Sequence, residues 1–167
     1  MPEGDTIHGA ADRLSAALQG EEIVRAYGSH RAIREFGRRI VGTTVTEATA
    51  HGKHLLIHFS NDWTLRTHMQ MTGSWHIYAQ GEQWRKSPGK ARVVLETASQ
   101  VAVCFAAPTV QLAPRHMVAA RVDGLGPDLM GDLDYGALAS SLQDDHAGRA
   151  TCDVIIDQSA VAGLGNV

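Results

Sequence analysis

The sequence predicts a mainly β protein with flanking helices: an antiparallel sandwich or barrel, preceded by one helix and followed by the start of a helical region. Three observations carry this. Residues 3–18 repeat Ile7, Ala10, Ala11, Leu14 and Leu18 at steps of three and four, which gives a helix one apolar face. From about residue 22 to residue 120 the chain breaks into short β-like runs with no helices between them, a spacing that suits antiparallel sheets. After residue 121 it turns acidic and turn-rich and then helical. The domains are therefore placed at 1–121 and 122–167.

Gly20 is the expected stop of the first helix. Residues 22–27 read as a strand, and 31–36 are ambiguous between strand and loop. Residues 39–49 (RIVGTTVTEAT) are rich in β-branched side chains, with Gly42 as an interruption. In 53–59, Leu55, Ile57 and Phe59 alternate with His54, Leu56 and His58, so one face is apolar. Asn61-Asp62 makes a turn. Strands follow at 64–69 and 73–78, then a polar loop at 80–91. Residues 91–97 and 100–106 form a hairpin. Gly124-Leu125-Gly126-Pro127-Asp128 reads as a linker. A helix is expected at 135–142, and another starts around 153–156.

The chain is 44% hydrophobic and 20% charged, an ordinary soluble composition. No apolar run approaches the roughly 20 residues that span a membrane. The N-terminus carries Glu3, Asp5 and Asp12, which does not suit a signal peptide. Cys104 and Cys152 stand far apart, in no CxxC pair, which fits a reducing cytoplasm and gives no zinc signal. Net charge is −3, but it is unevenly spread. Residues 1–121 hold 14 Lys/Arg against 10 Asp/Glu, a net of +4; residues 122–167 hold one against eight, a net of −7. The cluster Arg25, Arg31, Arg34, Arg38 and Arg39 could meet a phosphate backbone, or could simply be a solvated surface.

Chemistry enters at Met1-Pro2-Glu3-Gly4-Asp5. With Met1 removed, Pro2 presents a terminal secondary amine. An α-amino group has a pKa near ~7.7–8.0, so roughly a tenth is unprotonated at pH 7, against a few in ten thousand for a lysine near ~10.4. Such an amine is a ready nucleophile for a Schiff base. Glu3 beside it could move protons during the attack. The plainer reading is structural: proline is common at the first helical position, and acids in a first turn suit the helix dipole. Lys53 follows Gly52 at the start of a strand, where a lysine is more often an exposed charge. Met69 and Met71 flank Gln70 at a hairpin. Exposed, they could wedge into a base stack, with Gln70 on a base edge; on one strand face, they would be core. His51, His54 and His58 do not share a face of a strand, so no metal site is expected from them. Gly163-Leu164-Gly165-Asn166 resembles a phosphate-cradling turn with Asn166 as a helix cap. It lacks the third glycine of a dinucleotide fingerprint.

Taken together, the chain resembles the formamidopyrimidine-DNA glycosylase/endonuclease VIII family. The motifs are MPEGDTI at 1–7, GKHLL at 52–56, HFSNDWTLRTHMQMTGSW at 58–75, LGPDL at 125–129 and DQSAVAGLGNV at 157–167. Gln70-Met71-Thr72 and its surroundings look more like the endonuclease VIII branch, which favours oxidised pyrimidines. The resemblance implies a two-sheet antiparallel β-sandwich, then a helical domain with a helix–two-turn–helix motif and a zinc or zincless finger. It implies that Pro2 attacks C1′ of the damaged nucleotide and that Glu3 is its acid/base partner. Lys53 would contact the phosphate near the lesion and assist strand cleavage by β,δ-elimination. Met71, with Gln70 and Thr72, would fill the gap left by the flipped nucleotide, and Asn166 would hold a backbone phosphate. The implied partner is double-stranded DNA carrying an oxidised base or an abasic site, bound by a cytoplasmic, nucleoid-associated monomer.

The departures are specific. The sequence reaches residue 167 as the helix–two-turn–helix motif would begin, and it carries no four-cysteine finger and no finger arginine. No cofactor or metal is therefore expected in this chain. Some relatives place an arginine directly before the VGPD-like stretch; Gly124 stands there in this chain, and Arg121 is a nearby candidate for DNA contact. The expected activity is that of a bifunctional glycosylase/lyase. The alternatives are an inert DNA-binding remnant of such an enzyme, and a β-sandwich binding module unrelated to DNA.

Overall fold

A computed structural model describes residues 3–165. Its first element, α1 (Gly4–Leu18), buries the five predicted apolar positions, and Gly20 follows it at φ +83°, a conformation that favours glycine. α1 packs on β2 (Val45–His51) and also reaches β3 (His54–Phe59), β5 (Ser74–Ala79) and β7 (Gln100–Phe105). Ile7, Leu14 and Leu18 thus share one core with Leu55, Ile57, Leu65, Val93, Leu95 and Cys104. Full burial of one such side chain stabilises the fold by about 1.5–3 kcal/mol.

The sandwich has two four-stranded antiparallel sheets. One runs β1-β6-β7-β5, with β1 at Arg25–Tyr27 and β6 at Ala91–Glu96. The other runs β2-β3-β4-β8, with β4 at Trp63–His68 and β8 at Thr109–Pro114. The alternation in β3 is as expected: Leu55, Ile57 and Phe59 are buried between the sheets.

Several elements depart from the sequence reading. Residues 31–36 form a short helix, α2 (Arg31–Phe36), capped by His30 Nδ1 accepting from Ala32 N–H at 3.2 Å. A histidine cap and a single buried residue, Ile33, leave little periodic signal. The expected strand 39–49 begins only at Val45. A 3-10 turn at Gly37–Arg39 and Gly42 at φ +78° occupy the first part. β8 and α3 (Arg115–Val122) have no counterpart among the expected elements. α3 covers the outer face of its sheet, which explains why His58 is buried there and hydrogen-bonded to Thr64 and Thr49. The polar loop at 80–91 folds over the other sheet, where Trp84 packs on Tyr78 and Phe105.

Beyond α3 come α4 (Tyr135–Asp145) and α5 (Thr151–Ile156). Asp134 caps α4 through Gly136 and Ala137 N–H. α4 buries no residue and α5 buries only Val154. No helix among the described residues is long and apolar enough to cross a membrane.

Candidate active site

The antiparallel registers bring one end of the sandwich together. His54 pairs with His68, and Thr109 also pairs with His68, so the 52–53 turn, the 69–73 loop and the 106–108 loop all lie there. Ser74 and Ala91 both pair with Phe105, which adds the start of β6. Glu3, the N-cap residue of α1, joins this end: Lys53 Nζ lies 3.2 Å from Glu3 Oε2. Strand pairing and a helix start thus unite two residues 50 positions apart in sequence.

Among the described residues no donor is spent on the Glu3 carboxylate. It caps no N–H of α1, and the Lys53 ammonium, although at ion-pair distance, is not aligned for a hydrogen bond. Both oxygens are buried without a hydrogen-bond partner among the described residues. A buried carboxylate in that state is costly unless a donor completes it. Lys53 itself is only 8% exposed, which overturns the plainer expectation of a solvated strand-tip charge. Gly165 lies against Glu3: a Cβ there would run into the carboxylate.

Three close approaches fix this corner. Gly4 N–H donates to Gly163 O at 3.0 Å. A Cβ at Gly52 would stand 3.0 Å from that of Ala162. Asp128, 7% exposed, accepts from Gly52 N–H at 2.8 Å, from His8 Nε2 at 2.8 Å and from Met130 N–H at 3.1 Å. Burial alone would raise the Asp128 pKa, but these hydrogen bonds outweigh it and hold it below the ordinary value of 3.8. The sequence reading missed Asp128 and His8 as individual residues. The signal available was the turn-rich LGPD stretch and a polar side chain on the first turns of α1.

The two methionines divide. Met69 is buried at 3% exposure and belongs to the core, whereas Met71 projects at 72% exposure. Gly73 allows the loop to double back, since a Cβ there would come within 2.7 Å of Met69 Cα. Gln70 is exposed and adopts φ +46°, with its N–H donated to His68 Nδ1 at 3.2 Å. Burial, then Arg66 and Lys53, keep the His68 pKa below 6.5, so Nδ1 stays an acceptor at neutral pH. The His54 ring meets it edge-on, 4.8 Å between centroids. His54 is pushed down to about 4 by burial and then by Arg66, His68 and His51; Arg66 donates to its Nδ1 at 3.3 Å. Thr72 Oγ1 donates to Ala106 O at 3.0 Å.

Other expected residues stand elsewhere. Arg121 is exposed near the end of α3; burial first, and then the Arg121 charge, lower the Arg66 pKa. Asn61 Nδ2 bonds Arg39 O, so Arg38 and Arg39 sit at the opposite end of β3 and β4 from Lys53 and Met71. Arg25 and Arg31 pair with Glu96 and Glu35. Pro2 and Asn166 lie outside the described residues. Among the described residues no three His, Cys, Asp or Glu converge as a metal-binding group.

Residues 1–109 match the formamidopyrimidine-DNA glycosylase N-terminal domain family. The chain belongs to the formamidopyrimidine-DNA glycosylase/endonuclease VIII family. It is 37% identical over 169 residues to the probable endonuclease 8 2 of Streptomyces coelicolor, covering 100% of this chain and 60% of that protein. It is 34% identical over 173 residues to endonuclease 8 of Escherichia coli, covering 99% and 64%. The chain therefore spans less than two thirds of these relatives' length. In fold it resembles the formamidopyrimidine-DNA glycosylase of Lactococcus lactis, solved with N7-benzyl-Fapy-dG DNA, at a TM-score of 0.80 and 18% identity. That match covers 99% of this chain and 64% of that one.

Proposed function

We propose that this chain carries the catalytic half of a base-excision DNA glycosylase/lyase that acts through an amine at Pro2. The observation that supports it most is the Glu3 carboxylate, without a donor among the described residues, beside buried Lys53 at the first turn of α1. Pro2 is the residue next to Glu3, so its amine is tethered within one residue of that carboxylate. Duplex DNA must extrude the damaged nucleotide to reach such a site, at a cost of a few kcal/mol that is least for a damaged pair. Met71 is the side chain offered to the gap, and Gln70 and Thr72 flank it.

In this reading the lone pair of the Pro2 amine forms a bond to C1′ as the C1′–base bond breaks, and the base leaves with the electron pair of the broken bond and takes up a proton. The sugar ring opens to an iminium. Loss of the C2′ proton then expels the 3′ phosphate, and a second elimination releases the 5′ phosphate. Glu3 shuttles the protons, and Lys53 offsets charge on the lesion's phosphate as it departs. Water hydrolyses the remaining imine and frees Pro2. Oxidised pyrimidines are the proposed substrates, because Gln70-Met71-Thr72 and its surroundings resemble the endonuclease VIII branch of the family. Arg121 and Asn166 are proposed as further DNA contacts, and the work is placed in the cytoplasm.

Two measurements test this. Intact mass should show loss of Met1, since Pro2 reacts only as a free terminus; a chain that keeps Met1 yet nicks damaged DNA rules out the Pro2 mechanism. On an oligonucleotide with one oxidised pyrimidine, Glu3→Gln should slow base release by about 10²–10⁴-fold, the usual contribution of a placed acid/base. Its nicking of a pre-formed abasic site should fall far less. Equal loss on both substrates contradicts the role given to Glu3.

A further inference from the structure

A second charged feature opens at the same end of the sandwich, beside the 69–73 loop. It is a cleft of about 710 Å³ whose walls include Thr72, Lys86, Lys90, Arg92 and Ala106. Lys86, Lys90 and Arg92 are all exposed, and no Asp or Glu lines the cleft. None of the three makes an ion pair within 4.0 Å among the described residues, whereas Arg25, Arg31, Arg115 and Arg149 each have one. Three cations sharing a concave wall with no carboxylate repel one another unless an anion joins them.

The cleft is also built onto the candidate site. Thr72 Oγ1 donates to Ala106 O at 3.0 Å, and Ala106 N–H donates to Lys90 O at 2.8 Å. Ala106 holds φ +52°, a conformation unusual for a residue with a Cβ, so the backbone there is held in place by its partners. Ser87 adds only a small side chain and Gly89 none, and β6 starts at Ala91. Thr72 follows Met71 directly, and one extended residue reaches at most ~3.6 Å. The cleft thus begins at the residue next to Met71.

We infer that this cleft is a phosphate-binding groove, in which Lys86, Lys90 and Arg92 hold the sugar-phosphate backbone of duplex DNA beside the nucleotide gap that Met71 enters. The inference rests on the proposed function, because it uses the duplex position set by Met71. It adds a second grip on the duplex, carried by the sheet that does not contain Lys53. It also explains a basic wall on a chain whose net charge is −3.

The test is the salt dependence of binding, with the whole 167-residue chain and a short duplex carrying one abasic site. Each phosphate contact contributes about 0.9 to the slope of log K against log salt. Lys86→Gln/Lys90→Gln/Arg92→Gln should lower the wild-type slope by about 2–3 and weaken binding at least ~10-fold at low salt. Lys90→Gln alone should lower it by about 0.9 and carries the test should the triple variant misfold. Arg38→Gln/Arg39→Gln, of similar charge change at the far end of β4, should leave the slope unchanged. A wild-type slope in both groove variants overturns the groove, as does an equal loss in the Arg38/Arg39 control. A wild-type chain without salt-dependent DNA binding overturns the proposed function itself, and the groove with it.

Discussion

Glu3 shows how one side chain's surroundings set its chemistry. It stands at a helix start, where the backbone N–H groups favour a negative charge, yet it caps none of them. Its oxygens are held by the approach of Lys53 on one side and Gly165 on the other. Gly165→Ala should therefore push the carboxylate out of place and cut base release by at least ~10²-fold, in line with losing a positioned acid/base. The melting curve should move little, because no core side chain is touched; excision at the wild-type rate would show that the Glu3 position is not critical. The histidines behind Lys53 give a pH dependence. The folded pKa of His54 is depressed from 6.5 to about 4, so the unfolded chain binds the extra proton between those values. Stability is therefore full above about pH 6.5 and falls as pH drops toward 4. Asp128, also depressed, adds a second loss as pH falls below 3.8. Denaturant midpoints across pH 3.5–7.5 should show this slope, and His54→Gln should flatten its upper part.

At the scale of elements, the 69–73 loop separates packing from function within two residues. Met69→Ala should cost about 2–5 kcal/mol, as for other buried large-to-Ala changes. Met71→Ala should stay within about 0.5 kcal/mol of wild type while lowering excision of a paired lesion. Thermal melts and excision rates on the two variants check this; equal destabilisation by both contradicts the division. The residues alone gave the two methionines one shared reading, exposed or core, because the hairpin register was not known, and only the resemblance singled out Met71. The apolar stripe of α1 and the alternation of β3 were legible, since burial on one face writes a period directly into the chain. β8 and α3 were not legible. β8 reads TVQLAP, with no turn dipeptide before it, and α3 follows Pro114 without a side-chain cap. α2 escaped for the same reason, its cap being a histidine. Lys53 was named from its motif, but its burial beside Glu3 depends on a contact across 50 residues that no local pattern encodes.

On the scale of the molecule, Asp128 ties the 126–130 segment to α1 and to the 52–53 turn, so the part after α3 helps shape the corner that holds Glu3 and Lys53. Asp128→Ala leaves Gly52 N–H and His8 without their acceptor and should cost about 1–3 kcal/mol, with nicking of abasic DNA reduced as well. Urea melts and a nicking assay on the same preparation would check both; a variant that loses stability but keeps full nicking shows that the tie is not needed for chemistry. Charge is divided on the same scale, with the excess cations in residues 1–121, so DNA affinity should fall steeply with salt. The central claim is that the Pro2 amine forms the covalent bond to DNA. It is tested most directly by borohydride trapping on a duplex with one abasic site at low salt, since such a site needs no base recognition and is easily extruded. The account predicts a stable one-to-one protein–DNA adduct, mapped by peptide mass to the N-terminal peptide and much reduced in Pro2→Gly, whose primary amine lacks the fixed ring. An adduct mapped to Lys53 or to any other internal lysine, or no adduct from a folded chain that binds the duplex, would contradict it.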